Sequence, residues 1–416
     1  MLEKFKINPN YFGILKNFSY LSLFQILNLF VPLIIYPYLI NQLGKENYGI
    51  VIYAQAITAF FAVIVNFGFN ITGTKDVSIY RNNIRKLSQI VCTILLIKAV
   101  LFLISIILLL IFIHTIIDTR EQDLLFLFSI YVAVNEFLFP LWYFQGVEKM
   151  KFISIINFIT KFLSIILIFL FIHSSKDGTT LQFIFFITSI LGGAISLFII
   201  FYVDKIRLIL LPRNEIIILI KKSFYVFVSK GCFLFTESIS KIIIEKNFGT
   251  ADLAVYDLGI RIMAILKKPF LILTQAVYPN LSSTKDMTFS KKILIRSIIT
   301  SFILYGIIIL LSNQISLFFL SEENSLLNLT ILIMGLSVPL TAITWGLGEN
   351  MLVVMGFYKE YNISTILQMI TFFICILIYY TVYNSISFNF ILVLYILPIL
   401  SEVVYRYKSV KSFKLI

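Results

Sequence analysis

The stretch FYVFVSKGCFLFTESISKIIIEKNFGTADLAVYDLGIRIMAILKK, residues 224–268, decides how the rest of the chain must be read. It is long and mostly apolar, and it divides into two membrane-length helices joined by a short loop at Lys246 to Asp252. It also carries Lys230, Glu237, Lys241, Glu245, Asp252, Asp257, Arg261, Lys267 and Lys268. A charge at the centre of a spanning helix costs about 2.5–3.5 kcal/mol. Several such charges cannot all face lipid, so this segment is expected to face water or partner groups.

The surrounding composition agrees with a membrane setting. Of 416 residues, 59% are hydrophobic and 13% charged, and the mean hydropathy is +0.97. Soluble domains average about 25% charged residues. The formal net charge of +13 would suit a nucleic-acid partner if it were clustered. Here the basic residues are spread through short loops between apolar runs, which points to membrane topology and to no nucleic acid.

Cys92, Cys232 and Cys375 are too few and too scattered for a disulfide framework or a metal site, and no cofactor is expected. His114 and His173 are isolated near span ends. The first apolar run, Phe18 to Leu39, is too long for the core of a cleavable signal peptide and lacks a small-residue cleavage site.

A hydrocarbon core of about 30 Å needs about 20 apolar residues per helix. On that rule twelve spans are expected, near residues 18–40, 48–71, 89–113, 124–145, 152–172, 181–203, 223–245, 253–281, 293–312, 326–350, 362–383 and 388–405. Tyrosines crowd many span ends, as at Tyr36, Tyr38, Tyr379, Tyr380 and Tyr383, which suits interfacial anchoring.

One set of alternate loops holds most of the basic residues. Examples are Lys75, Arg81, Arg85 and Lys86; Lys205, Arg207, Arg213, Lys221 and Lys222; and Arg406, Lys408, Lys411 and Lys414. The other set holds only Lys45, Arg120, Lys176 and Lys246. This contrast places both termini in the cytoplasm.

The basic connection Asp204 to Lys222 divides the chain into an N-terminal six-helix lobe, residues 1–203, and a C-terminal six-helix lobe, residues 223–416, with 204–222 as a cytoplasmic linker. A short internal repeat agrees. Leu43-Gly44, four residues before Tyr48-Gly49, recurs as Phe248-Gly249 before Leu253-Ala254, at an offset of 205. An even number of spans separates the copies. That implies lobes related by a pseudo-two-fold axis along the membrane normal, with a pathway between them.

The intramembrane charges fall on faces. Lys230, Glu237 and Lys241 are spaced i, i+7, i+11 and share one side of span seven, with Glu245 at its edge. Asp257, Arg261, Lys268 and Gln275 share a face of span eight, where Asp257 and Arg261 can pair at i, i+4. Gln25 and Asn28 in span one occupy the face equivalent to Lys230 and Phe233.

Two readings compete: a polar cavity, or buried ion pairs and snorkelling side chains. Lys230, Lys241, Arg261 and Lys268 are assigned to a cavity. For Lys98, Lys161 and Lys267 both readings stand open, and Glu245 and Asp252 lie near the outer interface. A basic cavity suits an anionic passenger. Glu136, Glu237 and Asp257 are the candidates for binding a coupling cation or proton.

Catalytic signatures are absent: there is no GxxxxGK[ST] loop and no Cys/His cluster with zinc spacing. Outer loops such as Asn41 to Asn47 are too short to build a catalytic domain. A carrier is therefore expected rather than an enzyme.

Several motifs then add a family. They are Asn17-Phe18-Ser19-Tyr20-Leu21, Gln25, Asn28, Pro32, Pro37-Tyr38-Leu39 and Leu43-Gly44…Tyr48-Gly49. Asn66-Phe67-Gly68-Phe69-Asn70, with Gly73 and Lys75, and Pro140-Leu141-Trp142-Tyr143-Phe144-Gln145-Gly146 through Met150 join them, as do Asn157, Lys161 and Phe248-Gly249…Tyr256. This set resembles the O-antigen flippases of the Wzx type, in the polysaccharide transport family of the multidrug/oligosaccharidyl-lipid/polysaccharide flippase superfamily. The clear motifs cover about the first 165 residues.

Many relatives have an acidic residue where this chain has Asn66. If that acid titrates during transport in them, the role here must fall to Glu136, Glu237 or Asp257. Read physically, Gly68 and Gly73 permit close packing or a break near the end of span two. Asn66 and Asn70 share a face, Gly146 ends span four, and Trp142 is expected as an interfacial anchor.

The resemblance implies an all-α integral membrane protein of the bacterial cell inner membrane, active in lipopolysaccharide biosynthesis. It would move an undecaprenyl-pyrophosphate-linked oligosaccharide from the cytoplasmic to the outer leaflet by alternating access, as a cation-coupled antiporter. Implied partners are the lipid-linked oligosaccharide, membrane lipids, and a polysaccharide polymerase and chain-length regulator. On that reading Lys230, Lys241, Arg261, Lys268, Gln25, Asn28, Asn66 and Asn70 would hold the substrate. The alternatives are a capsule or teichoic-unit exporter, a multidrug exporter of the same superfamily, and a membrane polysaccharide polymerase.

Overall fold

The computed structural model describes the backbone of residues 9–116, 120–383 and 386–415; some side chains, those of residues 9–18 and 228–235 among them, lie outside that description. All elements among the described residues are helices. In order they are α1 (Pro9–Asn66), α2 (Phe69–Tyr80), α3 (Ile84–Ile116), α4 (Arg120–Ser129), α5 (Tyr131–Leu138), α6 (Leu141–Gly146), α7 (Met150–Phe171), α8 (Gly178–Phe198) and α9 (Arg213–Phe248). They continue with α10 (Thr250–Thr284), α11 (Met287–Leu310), α12 (Ser312–Leu320), α13 (Ser325–Gly335), α14 (Ser337–Leu347), α15 (Tyr358–Tyr383), α16 (Phe388–Leu394) and α17 (Leu397–Ser412). Wider π turns extend α8 at Ile199–Val203 and α14 at Gly348–Val353.

The surface is inverted relative to a soluble bundle. On α3, Leu96, Val100, Leu103, Ile104, Ile107 and Ile111 are all exposed. On α15, Ile366, Ile370, Phe373, Ile374, Leu377 and Ile378 are exposed as well. Such continuous apolar faces are tolerated where the solvent is hydrocarbon.

Nine stretches among the described residues are long and apolar enough to cross a bilayer. The first, Ser22–Tyr80, has 59 residues. At about 1.5 Å per residue that is far longer than a bilayer core. It is divided where Gly44 leaves the helical conformation, at φ 76° and ψ 161°. A second break follows at Phe67 and Gly68, both at positive φ. The long helices α9 and α10 are separated in the same way by Gly249, at φ 92° and ψ 174°.

Two compact units emerge. One takes Met1–Ile35 and Gln42–Ser238, the other Tyr36–Asn41 and Ile239–Ile416. In the first, the core gathers Phe69, Ile94, Trp142, Tyr143, Phe144 and Ile153. In the second, a core cluster holds Leu294, Leu347, Met351, Leu352 and Val410. The connection after the π turn is short, because α9 already begins at Arg213, behind Pro212 and with Glu215 in its first turn.

Two expectations are corrected. Trp142 is no interfacial anchor, since it is fully buried. Gly73 makes the room: a methyl group there would stand 3.1 Å from the indole. Arg406 is not a loop cation either, since it is 2% exposed. Its guanidinium pairs with Glu402 at 2.6 Å, donates to the Thr344 carbonyl at 2.7 Å and to Ser364 Oγ at 2.9 Å, and lies over the Tyr361 ring. Four partners repay the desolvation that a lone buried cation could not meet.

The glycine readings hold. Gly68 breaks α1 from α2, and Gly146 closes α6. A methyl group on Gly146 would meet Val77 at 2.5 Å, so α2 and α6 pack closely through it.

Candidate functional site

Two clusters of polar and charged groups stand inside otherwise apolar helices. In the second unit the organising group is Asp257, two turns into α10 and 1% exposed. Its Oδ1 meets Lys241 Nζ at 2.9 Å, and its Oδ2 accepts from Arg261 Nε at 2.5 Å. The Arg261 contact is the i, i+4 pair that the spacing predicts. The Arg261 guanidinium also lies 5.9 Å from the centre of the Tyr36 ring. Tyr36 is itself fixed, because its hydroxyl donates to the Ala254 carbonyl at 2.6 Å.

One carboxylate between two cations leaves the trio with a net positive charge. The Lys241 and Arg261 side chains keep 15% and 24% of their surface, against 2% for Asp257. The exposed part of the cluster is therefore cationic, with the carboxylate underneath holding both cations in place.

In the first unit the organising group is Glu136 on α5. Its Oε2 accepts from Asn66 Nδ2 at 2.8 Å and from Asn70 Nδ2 at 3.4 Å. Lys98 is fully buried; its ammonium donates to the Glu136 backbone carbonyl at 2.8 Å and lies 3.9 Å from Oε2. Asn66 Oδ1 in turn accepts from the Gly68 amide at 3.1 Å. The carboxylate thus ties down the α1–α2 break from both sides.

That break is crowded. A methyl group on Gly68 would stand 2.6 Å from the Ser223 carbonyl oxygen. The start of α9 packs there, with Thr72 and Ser223 hydroxyls 2.7 Å apart, an Asp76–Lys222 ion pair, and the Phe67 and Phe227 rings stacked at 5.3 Å.

The structure therefore brings Lys241, Asp257 and Arg261 into one cluster, and Asn66, Asn70 and Glu136 into another. Gln25 is half-buried, and Asn28 is exposed at the mouth of a pocket within the first unit. Glu237 is half-buried on α9, and Lys268 is half-buried on α10 beside Lys267, which donates to the Tyr395 hydroxyl at 3.0 Å. The Lys230 side chain lies outside the described residues. Sequence reasoning missed Tyr36 as a partner of Arg261, because 225 residues separate them. The Glu402–Arg406 pair had a signal, its i, i+4 spacing in the last helix. Among the described residues no group of His, Cys, Asp or Glu could hold a metal ion.

Apolar outer faces, glycine-broken helix pairs and buried charge clusters define a multi-pass helical membrane protein. The backbone is similar to lipid II flippase MurJ in its inward closed conformation, with a TM-score of 0.74, 15% identity, and coverage of 95% of this chain and 87% of that one. It is also similar to an inward-facing multidrug resistance MATE family transporter of the MOP superfamily, with a TM-score of 0.64, 12% identity, and coverage of 88% and 94%.

Residues 14–285 match the polysaccharide biosynthesis protein family, and the chain belongs to that family. It is 27% identical over 301 residues to the "Putative O-antigen transporter" of Escherichia coli strain K12, covering 72% of each chain. A protein of Shigella dysenteriae with the same description is 26% identical over 359 residues, covering 84% of this chain and 88% of that one.

Proposed function

We propose that this protein is a flippase for an undecaprenyl-pyrophosphate-linked oligosaccharide, the repeat unit of an O-antigen or related surface polysaccharide. Family membership and the two O-antigen transporter relatives support the substrate class. The likeness to a lipid II flippase supports a fold able to move a lipid-linked glycan. The observation that carries the reading is the Lys241–Asp257–Arg261 cluster: a cationic face, anchored from beneath, of the kind a pyrophosphate needs.

In this reading twelve spans form two six-helix lobes, residues 1–203 and 223–416, joined by 204–222, with both termini in the cytoplasm. The nine apolar stretches support twelve once the first is divided at Gly44 and the charge-bearing α9 and α10 are added. The protein resides in the bacterial inner membrane and passes the head group from the cytoplasmic to the outer leaflet by alternating access, coupled to a cation.

Lys230, Lys241, Arg261, Lys268, Gln25, Asn28, Asn66 and Asn70 contact substrate, and Glu136, Glu237 and Asp257 serve coupling. Glu136 is the best supported of the three, because its carboxylate is hydrogen-bonded at a helix break that a change of charge would loosen. A polymerase and chain-length regulator act downstream on the flipped unit.

Deleting the gene tests the reading. Lipid-linked repeat units should accumulate on the cytoplasmic face, and surface polysaccharide should fall. Normal surface polysaccharide in the deletion strain, with no accumulated precursor, overturns it.

A further inference from the structure

We propose that a pocket within the first unit is a carbohydrate subsite that receives one sugar ring of the transported glycan; the assignment rests on the flippase reading. The pocket, about 120 Å³, lies among α1, α5, α7 and α8.

Among its buried polar groups is Asn157 on α7, 8% exposed, whose Nδ2 has no hydrogen-bond partner among the described residues. A buried amide donor left unpaired is costly, and a ligand acceptor would satisfy it. The hydroxyls beside it are already oriented. Thr160 donates to the Ile156 carbonyl at 3.0 Å and Thr188 to the Ile184 carbonyl at 2.9 Å. Their protons are used on their own helices, so they offer oxygen lone pairs to the pocket. The Lys161 side chain also lines the pocket.

Aromatic walls complete the site. Phe24 and Phe139 stack at 6.3 Å with 17° between their planes, and Tyr131 and Phe185 lie 5.2 Å apart.

Donors alternating with acceptors between aromatic planes match one ligand chemistry. A sugar hydroxyl can accept from Asn157 and Lys161 and donate to Thr160 and Thr188, while the C–H faces of the ring pack on the aromatic walls. A phosphate, which only accepts, would meet lone pairs at both threonines. A metal cation would meet the charge of Lys161.

The test places a single cysteine at the pocket wall, Ser189→Cys, in full-length protein with Cys92, Cys232 and Cys375 replaced by serine and reconstituted in nanodiscs. The probe is the oligosaccharide released by mild acid from the host's own lipid-linked repeat units. At a concentration about ten times its dissociation constant, the glycan should slow alkylation of the cysteine about tenfold; inorganic phosphate should not. Asn157→Leu should abolish the protection, and the isosteric Asn157→Asp, which removes the donor, should do the same if the leucine variant fails to fold.

Absence of protection, equal protection by phosphate, or protection that survives both Asn157 variants overturns the subsite. The flippase reading fails separately. Accumulated lipid-linked units in the deletion strain without glycan protection would sink the pocket alone. Glycan protection without accumulation would sink the transport reading alone.

Discussion

Gly44 and Gly249, 205 residues apart, hold the same backbone conformation at the junction of two long helices: φ 76° and ψ 161° at one, φ 92° and ψ 174° at the other. That region of backbone space is essentially reserved for glycine. Among the described residues, neither position has a neighbouring heavy atom within 4 Å of where a Cβ would stand, so conformation rather than space requires the glycine. Gly44→Ala and Gly249→Ala should each cost about 1–3 kcal/mol, read as a fall in unfolding temperature in detergent. Gly306→Ala, inside α11 near its C-terminal end and also in open space, is the control and should be neutral or slightly stabilising.

Asp257 serves two cations, so its removal should be worse than theirs. Asp257→Asn removes the carboxylate that both Lys241 and Arg261 meet and should destabilise by about 3–5 kcal/mol. Lys241→Met leaves an Asp257–Arg261 pair and should cost less. Thermal unfolding of the two variants in the same detergent compares them. Equal stability of both would show that Asp257 does not hold the cluster.

Glu136→Gln keeps one acceptor oxygen for Asn66 and Asn70 while removing the charge. Membrane abundance should remain near wild type, and export should fall at least about tenfold, a barrier change of about 1.4 kcal/mol. Accumulation of lipid-linked units in cells measures it. Export at the wild-type level would release Glu136 from any coupling role.

Gly348 touches the buried guanidinium. A methyl group there would stand 2.3 Å from Arg406 Nη1, and Arg406 cannot retreat while Glu402, Ser364 and Thr344 hold it. Gly348→Ala should cost about 1–3 kcal/mol and lower the yield of folded protein. A double variant with Arg406→Met should not add a further steric cost, because the obstructing group is gone. Stability measured across the cycle separates steric from electrostatic loss.

Much of the fold was legible because membrane helices announce themselves by length and apolarity, and glycines at breaks by position. The break at Gly68 was readable for that reason, the expected loops at 41–47 and 246–252 contain Gly44 and Gly249, and the Asp257–Arg261 pair was readable because its spacing alone brings the two groups together. Partners that meet through folding were not. Nothing near Glu136 in sequence points to Asn66, 70 residues earlier, and nothing near Arg261 points to Tyr36.

Trp142 and Arg406 depart from expectation in the same direction and for one reason: an amphipathic side chain near a helix end can take either environment. A glycine opposite the indole and a carboxylate beside the guanidinium decided for burial. The pocket proposed to take a sugar was invisible because its lining comes from four separate helices.

The bond from Tyr36 to Ala254 spans 218 residues of chain. At about 5–20 residues per second of synthesis, the tyrosine precedes its acceptor by roughly ten to forty seconds. Throughout that interval the first helix exists while its Ala254 acceptor does not. Completion of the second unit, which includes Tyr36–Asn41, therefore draws on a segment made near the start of translation. A chain stalled or cut before Ala254 would leave that early segment exposed to quality control.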